Sequence, residues 1–184
     1  MKNVLVISGH PNLKERSLTN KVIVDQLEVQ EGVTVRDIKS LYPDFKIDVK
    51  AEQAALLKAD TIVLQFPFHW YSVPGILKEW IDRVLEYGFA YGSTGDKLKG
   101  KNLLISTTIG GPEDAYSSEG YNNYKIDDLL KPLIQTANLC GLKLHEPIVT
   151  HGMIYIPGVY GEAEDVKQKA EEHAERLVAA LGKL

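Results

Sequence analysis

Apolar runs of strand length alternate with amphipathic stretches of helix length along the chain. Asn3–Ser8 reads as a first strand. Ser17–Glu31 reads as a helix with Leu18, Val22, Gln26 and Leu27 roughly on one face and Gly32 as its stop. Val33–Ile38 is a second strand, opened by Val33, Thr34 and Val35. A loop through Tyr42-Pro43-Asp44-Phe45 and a short helix near Ala51–Lys58 lead to a third strand at Asp60–Phe66. The next helix, Ile76–Tyr87, turns Leu77, Trp80, Ile81, Val84 and Leu85 inward. A glycine-containing loop, Gly88–Gly92, precedes a fourth strand at Asn102–Thr108. Ile126, Leu129, Leu130, Leu133, Ile134 and Ala137 then keep helical spacing, and Pro132 must sit in a first turn or kink that helix. A fifth strand falls near Glu146–Thr150. The last helix, Glu162–Leu181, buries Ala163, Val166, Ala170, Ala174, Leu177 and Leu181.

Strand–helix units in this succession specify a parallel sheet covered on both faces. Right-handed crossovers leave two common outcomes, a flavodoxin-like strand order or a truncated dinucleotide fold. The first loop, Ser8-Gly9-His10-Pro11-Asn12-Leu13, has one glycine where the dinucleotide fold needs three. The expectation is therefore α/β: a flavodoxin-like three-layer sandwich, with a five-stranded parallel sheet of order 2-1-3-4-5, as a single domain over residues 1–184.

Composition narrows the partners. A net charge of -4 argues against nucleic acid, whose phosphates need a basic face. No segment approaches the roughly 20 apolar residues of a membrane span. Met1-Lys2-Asn3 runs into an apolar stretch too short for a signal peptide. The lone Cys140 forms no internal disulfide and fits a reducing cytosol, as an inert core thiol on a helix face. No residues have metal-ligand spacing, so no metal is expected.

Three loops leave the carboxyl ends of strands one, three and four, neighbours in the 2-1-3-4-5 order. In the first, Ser17 sits at a predicted helix N-cap with Thr19 and Asn20 in the first turn, and His10 nearby adds a donor. Such a terminus favours phosphate, although Ser17 would also serve as an ordinary cap. The second, Pro67-Phe68-His69-Trp70-Tyr71, sets aromatic surface between prolines; core or dimer packing is the bland alternative. The third, Thr107-Thr108-Ile109-Gly110-Gly111, lets backbone approach a ligand closely or simply turns. Phosphate cradle, aromatic wall and polar rim match the three parts of flavin mononucleotide. Tyr116, Ser117, Ser118, Tyr121, Asn122 and Asn123 are candidates for the substrate side, and His151 for a residue facing the crevice. His145 and His173 read as surface residues.

The chain resembles the flavodoxin-fold NAD(P)H:quinone oxidoreductases, most closely the ancillary flavoproteins of glutathione-gated potassium-efflux systems. The resemblance is carried by Gly9-His10-Pro11 with Ser17-Leu18-Thr19-Asn20, by Leu41–Phe45 with Ala51-Glu52-Gln53, by Phe66–Tyr71, by Phe89-Ala90-Tyr91-Gly92 and by Thr107-Thr108 with Gly110-Gly111. It implies flavin contacts at His10, Ser17, Leu18, Thr19, Asn20, Phe68, His69, Trp70, Tyr71, Thr107, Thr108, Ile109 and Gly110. The loops read above add Pro67 and Gly111. Larger relatives balance charge on the reduced flavin with a tyrosine and a histidine; those positions fall on Tyr116 and, with a departure, on Asn122, the candidate catalytic pair. The absence of the large relatives' C-terminal extension favours FMN, with FAD as the alternative. The implied activity is ping-pong hydride transfer from NADH or NADPH to a quinone-like acceptor. The implied assembly is a cytoplasmic homodimer, its interface carrying aromatics of the Phe66–Tyr71 and Phe89–Tyr91 loops. The alternative is a regulatory subunit docked on a potassium-efflux antiporter at the inner membrane face.

Overall fold

The computed structural model describes residues 3–184; Met1 and Lys2, the lead-in to the first strand, lie outside the described residues. The strands are β1 (Val4–Ser8), β2 (Val33–Asp37), β3 (Thr61–Pro67), β4 (Asn102–Thr108), β5 (Lys143–Leu144) and β6 (Ile148–Thr150). The helices are α1 (Leu13–Arg16), α2 (Thr19–Glu28), α3 (Ile38–Leu41), α4 (Val49–Lys58), α5 (Gly75–Val84), α6 (Ile126–Leu129), α7 (Lys131–Leu139) and α8 (Ala163–Leu181). Every pairing is parallel, in the order β2-β1-β3-β4-β5, with β6 also on β4. The flavodoxin-like order expected from the strand–helix alternation is the order of the structure.

Side-chain alternation along the strands divides the core in two. Leu5, Ile7, Ile62, Leu64, Phe66, Leu103 and Ile105 face α4, α5, α6 and α7 through Leu56, Leu77, Trp80, Val84, Leu130 and Ala137. Val4, Val6, Val63, Leu104 and Ile148 face α2 and α8 through Ile23, Leu27, Ala170, Ala174, Leu177 and Leu181. Near the carboxyl ends of the strands, apolar residues on the second face give way to Ser8, Gln65, Ser106 and Thr108, all buried.

The structure departs from the sequence reading in five places. The expected fifth strand is two short ones. Leu103 pairs with Leu144 and Ser106 with Ile148, so β4 advances by one residue fewer than its partner across the break. Pro147, with no N–H, lies in the break. The helix expected through Ile126–Ala137 divides at Leu130, because Pro132 cannot donate to the preceding turn; it takes a first-turn position in α7. The first long helix starts at Thr19, since Ser17 is extended and Asn12 caps a separate turn, α1. His173, expected at the surface, is wholly buried on the α8 stripe facing the sheet, and His145 is half-buried, bonded to Asn102 Oδ1 at 2.9 Å. Phe66 and Phe89, expected to present aromatic surface, belong to the core.

Candidate functional site

Strands β1, β3 and β4 end at one rim, where a cleft of about 700 Å³ opens. The chain leaves β1 through His10, buried beside the loop. His10 Nδ1 accepts the Asn12 N–H at 3.0 Å. Burial, reinforced by His69, pushes the His10 pKa down to about 4. Its imidazole is therefore neutral at physiological pH, with Nδ1 an acceptor and the proton on Nε2, a donor.

The chain then turns into α2. Ser17 Oγ accepts the Lys21 N–H at 3.3 Å, and Leu18 at the N-cap contributes no side-chain acceptor. The first-turn N–H groups of Thr19 and Asn20 thus remain for a ligand, at the positive end of the helix dipole. Asn20 is fixed from both sides: its Nδ2 donates to Thr108 Oγ1 at 2.9 Å, and its Oδ1 accepts from Gln65 Nε2 at 2.9 Å.

The opposite wall comes from the β3 loop. Phe68 N–H donates to the Thr108 carbonyl at 2.8 Å, holding that wall to β4. His69 and Ser72 exchange two backbone hydrogen bonds of 3.0 Å around a tight turn. Its central residues, Trp70 and Tyr71, take φ of +47° and +63°, the left-handed region that suits glycine. Burial lowers the His69 pKa. Trp70 is 92% exposed at the tip.

Beyond this wall, Tyr116 packs between Phe68, at 6.4 Å in an edge contact, and His151, at 5.3 Å with the rings tilted by 55°. Burial, with Tyr71 and Tyr121 nearby, raises the Tyr116 pKa, so its hydroxyl stays protonated. Among the described residues no hydrogen bond joins Asn122 to Tyr116; Asn122 Oδ1 accepts from Tyr71 Oη at 3.0 Å. Thr107 Oγ1 and His151 Nδ1 are buried without a protein partner.

Of the sequence candidates, the cleft brings together His10, Ser17, Leu18, Thr19, Asn20, Pro67, Phe68, His69, Thr108 and Gly110. Trp70 and Tyr71 stand on the turn outside it. Thr107 and Ile109 are buried below it, and Gly111 is tied by its carbonyl to the Gly152 N–H at 3.0 Å. The sequence reading missed Glu15, Arg16, Met153, Ile154, Tyr155, Pro157 and Val166, which complete the lining. The apolar run Met153–Ile156 after the last strand was the available signal, since no helix or strand accounted for it.

The donor set is one-sided. Hydroxyls of Ser17, Thr19 and Thr108, backbone N–H groups, His10 Nε2 and Arg16 offer hydrogen to a ligand, and Glu15 is the one carboxylate among the lining side chains. That chemistry, facing an aromatic wall, fits a planar ring bearing a phosphate.

The comparisons agree with this geometry. The chain is 41% identical over 175 residues to an uncharacterised NAD(P)H oxidoreductase, YrkL, of Bacillus subtilis, covering 95% of this chain and 97% of the relative. It is 39% identical to the potassium-efflux ancillary protein KefF of Klebsiella aerogenes, covering 95% and 94%. The solved general stress protein 14 of Treponema denticola, in complex with FMN, superposes with a TM-score of 0.85 at 32% identity, covering 96% and 98%. Residues 2–181 match the family described as having a flavodoxin-like fold, and the chain belongs to that family.

Proposed function

We propose that this protein is an FMN-dependent NAD(P)H oxidoreductase that reduces quinone-like acceptors. The observation that carries the reading is the donor-lined end of the cleft facing the Pro67–His69 wall. The FMN complex of the Treponema relative and the oxidoreductase name of the Bacillus relative support it. Bound there, FMN would supply two-electron hydride chemistry between NADH or NADPH and the acceptor, in ping-pong order.

The residues then divide by what they do. Ser17, Leu18, Thr19 and Asn20 hold the phosphate through hydroxyls and first-turn N–H groups, with His10 donating from Nε2. Pro67, Phe68 and His69 pack along the ring system, and Thr108 and Gly110 bond its polar rim. Thr107, Ile109 and Gly111 hold that segment in place from beneath. Tyr116, kept protonated, donates a hydrogen bond toward developing negative charge. Asn122 acts on this side of the site by holding Tyr71, and with it the Trp70 turn. The exposed aromatics Trp70, Tyr71, Tyr121 and Tyr124 form the contact of a homodimer, whose partner completes the acceptor side.

A second reading is favoured by the KefF relative. In it the same protein docks from the cytoplasm on a potassium-efflux antiporter. Among the described residues no helix is long and apolar enough to cross a membrane, so attachment would run through that partner.

The deciding experiment is the visible spectrum of the purified protein, release and mass measurement of any yellow ligand, and NAD(P)H oxidation with and without added quinone. Bound FMN with quinone-dependent turnover is the expected result. Protein that binds no flavin when FMN is supplied in excess refutes the assignment. Flavin binding without turnover, joined to co-purification with an antiporter, selects the second reading.

A further inference from the structure

Thr108 sits at the end of a continuous side-chain hydrogen-bond chain that crosses the interior to Arg176, an exposed residue of α8. Arg176 Nη2 bonds Thr150 Oγ1 at 2.6 Å, and Thr150 Oγ1 meets His173 Nδ1 at 2.7 Å. His173 Nε2 meets Ser106 Oγ at 2.7 Å, and Ser106 Oγ bonds Gln65 Oε1 at 2.5 Å. Gln65 Nε2 bonds Asn20 Oδ1, and Asn20 Nδ2 bonds Thr108 Oγ1, each at 2.9 Å. Ser106, Gln65, Asn20, Thr108 and His173 are all buried.

A chain of hydroxyls, amides and an imidazole could run in either direction, because each member both gives and takes a hydrogen bond. Arg176 biases the direction: a guanidinium only donates, and although a hydroxyl oxygen can accept twice, one that accepts from this cation is polarised to give its own hydrogen onward. Thr150 accepts from Arg176 and gives its hydrogen to His173 Nδ1, in agreement with Ser106, whose single hydrogen goes to Gln65 Oε1 and which therefore takes one from His173 Nε2. His173 then carries its proton on Nε2 and donates to Ser106. Ser106 donates to Gln65, Gln65 to Asn20, and Asn20 to Thr108. The Thr108 hydroxyl is left with its hydrogen to give, and Thr108 lines the cleft.

We infer that His173 and Arg176 are positioning residues: they fix the direction of this chain so that Thr108 presents a hydrogen-bond donor, not an acceptor, to the bound ligand. The inference rests on the FMN reading only for the identity of that ligand. An electron-rich atom, such as a ring carbonyl or phosphate oxygen, is selected at Thr108 from an exposed charge of α8 that reaches β6. Neither His173 nor Arg176 touches the cleft, so neither acts as a catalytic residue.

Two measurements test this. Long-range proton–nitrogen NMR of the imidazoles in flavin-free protein reads the His173 tautomer directly. A neutral ring protonated on Nε2 is expected; a proton on Nδ1 reverses the chain and overturns the inference. FMN titration of the wild type, Arg176→Met, Thr108→Val and the double variant forms the second. Arg176→Met should weaken FMN binding on the order of fivefold, and the double variant should bind no more weakly than Thr108→Val alone. Arg176→Lys, which still donates, should restore binding. Unchanged affinity in Arg176→Met, or independent losses that multiply in the double variant, overturns the inference. If Thr108→Val does not fold, Thr150→Val takes its place in the cycle under the same criteria. Wild-type protein that binds no FMN refutes the proposed function instead, and the tautomer still decides the direction of the chain.

Discussion

At the scale of single residues, the two buried imidazoles make stability depend on pH. Folding lowers the pKa of His10 to about 4 and that of His173 to about 3, from an ordinary 6.5, in both cases chiefly through burial. Below about pH 6.5 the unfolded chain takes up protons that the folded chain refuses. Stability is therefore complete above that value and falls as the pH drops toward 4. Urea unfolding at pH 7.0, 5.5 and 4.5 should show a steady decline that shrinks in a His173→Gln variant; a slope unchanged by that replacement contradicts the burial argument. Trp70 invites the opposite experiment. A large exposed side chain at φ +47° holds a conformation costing about 1 kcal/mol relative to glycine. Trp70→Gly should raise the thermal midpoint by a few degrees while reducing acceptor turnover, as a residue kept for contact would. A variant that is both less stable and fully active places the tryptophan's value in packing. Residues such as these were only half legible in the sequence. Trp70 stood out by its chemistry, but nothing in its neighbours announced a left-handed turn. His173 was hidden in plain view: at three residues after Ala170 and four before Leu177 it shares their buried stripe, yet its polarity suggested solvent.

Among elements, one buried carboxylate ties the outer layer together. Glu52 on α4 accepts from Arg36 Nε at 2.8 Å on β2, from Tyr42 Oη at 2.6 Å after α3 and from Trp80 Nε1 at 2.9 Å on α5, and it also pairs with Arg36 Nη2. The side chain is wholly buried. Glu52→Leu would remove the acceptor of four donor groups on three side chains, two of those side chains in the interior. It should cost about 3 kcal/mol or more by chemical unfolding, while Glu52→Gln, keeping one acceptor oxygen, loses less. Equal losses in the two variants would mean that α4 packs by shape alone. Elements were the most legible level of the chain. Strands β1 to β4 and helix α8 follow from apolar runs and helical spacing, because buried segments leave little freedom of residue type. The divided helix α6–α7 and the divided strand β5–β6 depend on where a proline sits relative to hydrogen-bonding partners, which periodicity alone does not record.

For the whole molecule, four exposed aromatics predict self-association. Trp70, Tyr71, Tyr121 and Tyr124 are all at least 46% exposed, more aromatic surface than an isolated chain needs. Sedimentation velocity should give a mass near twice 20.5 kDa, and a Tyr124→Glu variant should shift it toward the single chain. A wild-type protein that sediments as one chain at micromolar concentration contradicts the homodimer. The position of the cleft was legible as soon as strand order was, since three loops on adjacent strands must meet. Its second side, built from Met153 to Pro157, was not, because that segment lacks any regular repeat to read. The interruption between β5 and β6 has one more consequence. Uninterrupted alternation would turn Leu144, Ile148 and Thr150 toward the same layer, but Leu144 lies with the α7 side and Ile148 with the α8 side. The additional residue works as a phase shifter, exchanging one helical layer for the other over a single step. A homologue one residue shorter within 145–147 would match the advance of β4 without a break, keep Ile148 and Thr150 turned toward α8, and so should keep a polar side chain where this chain has His173.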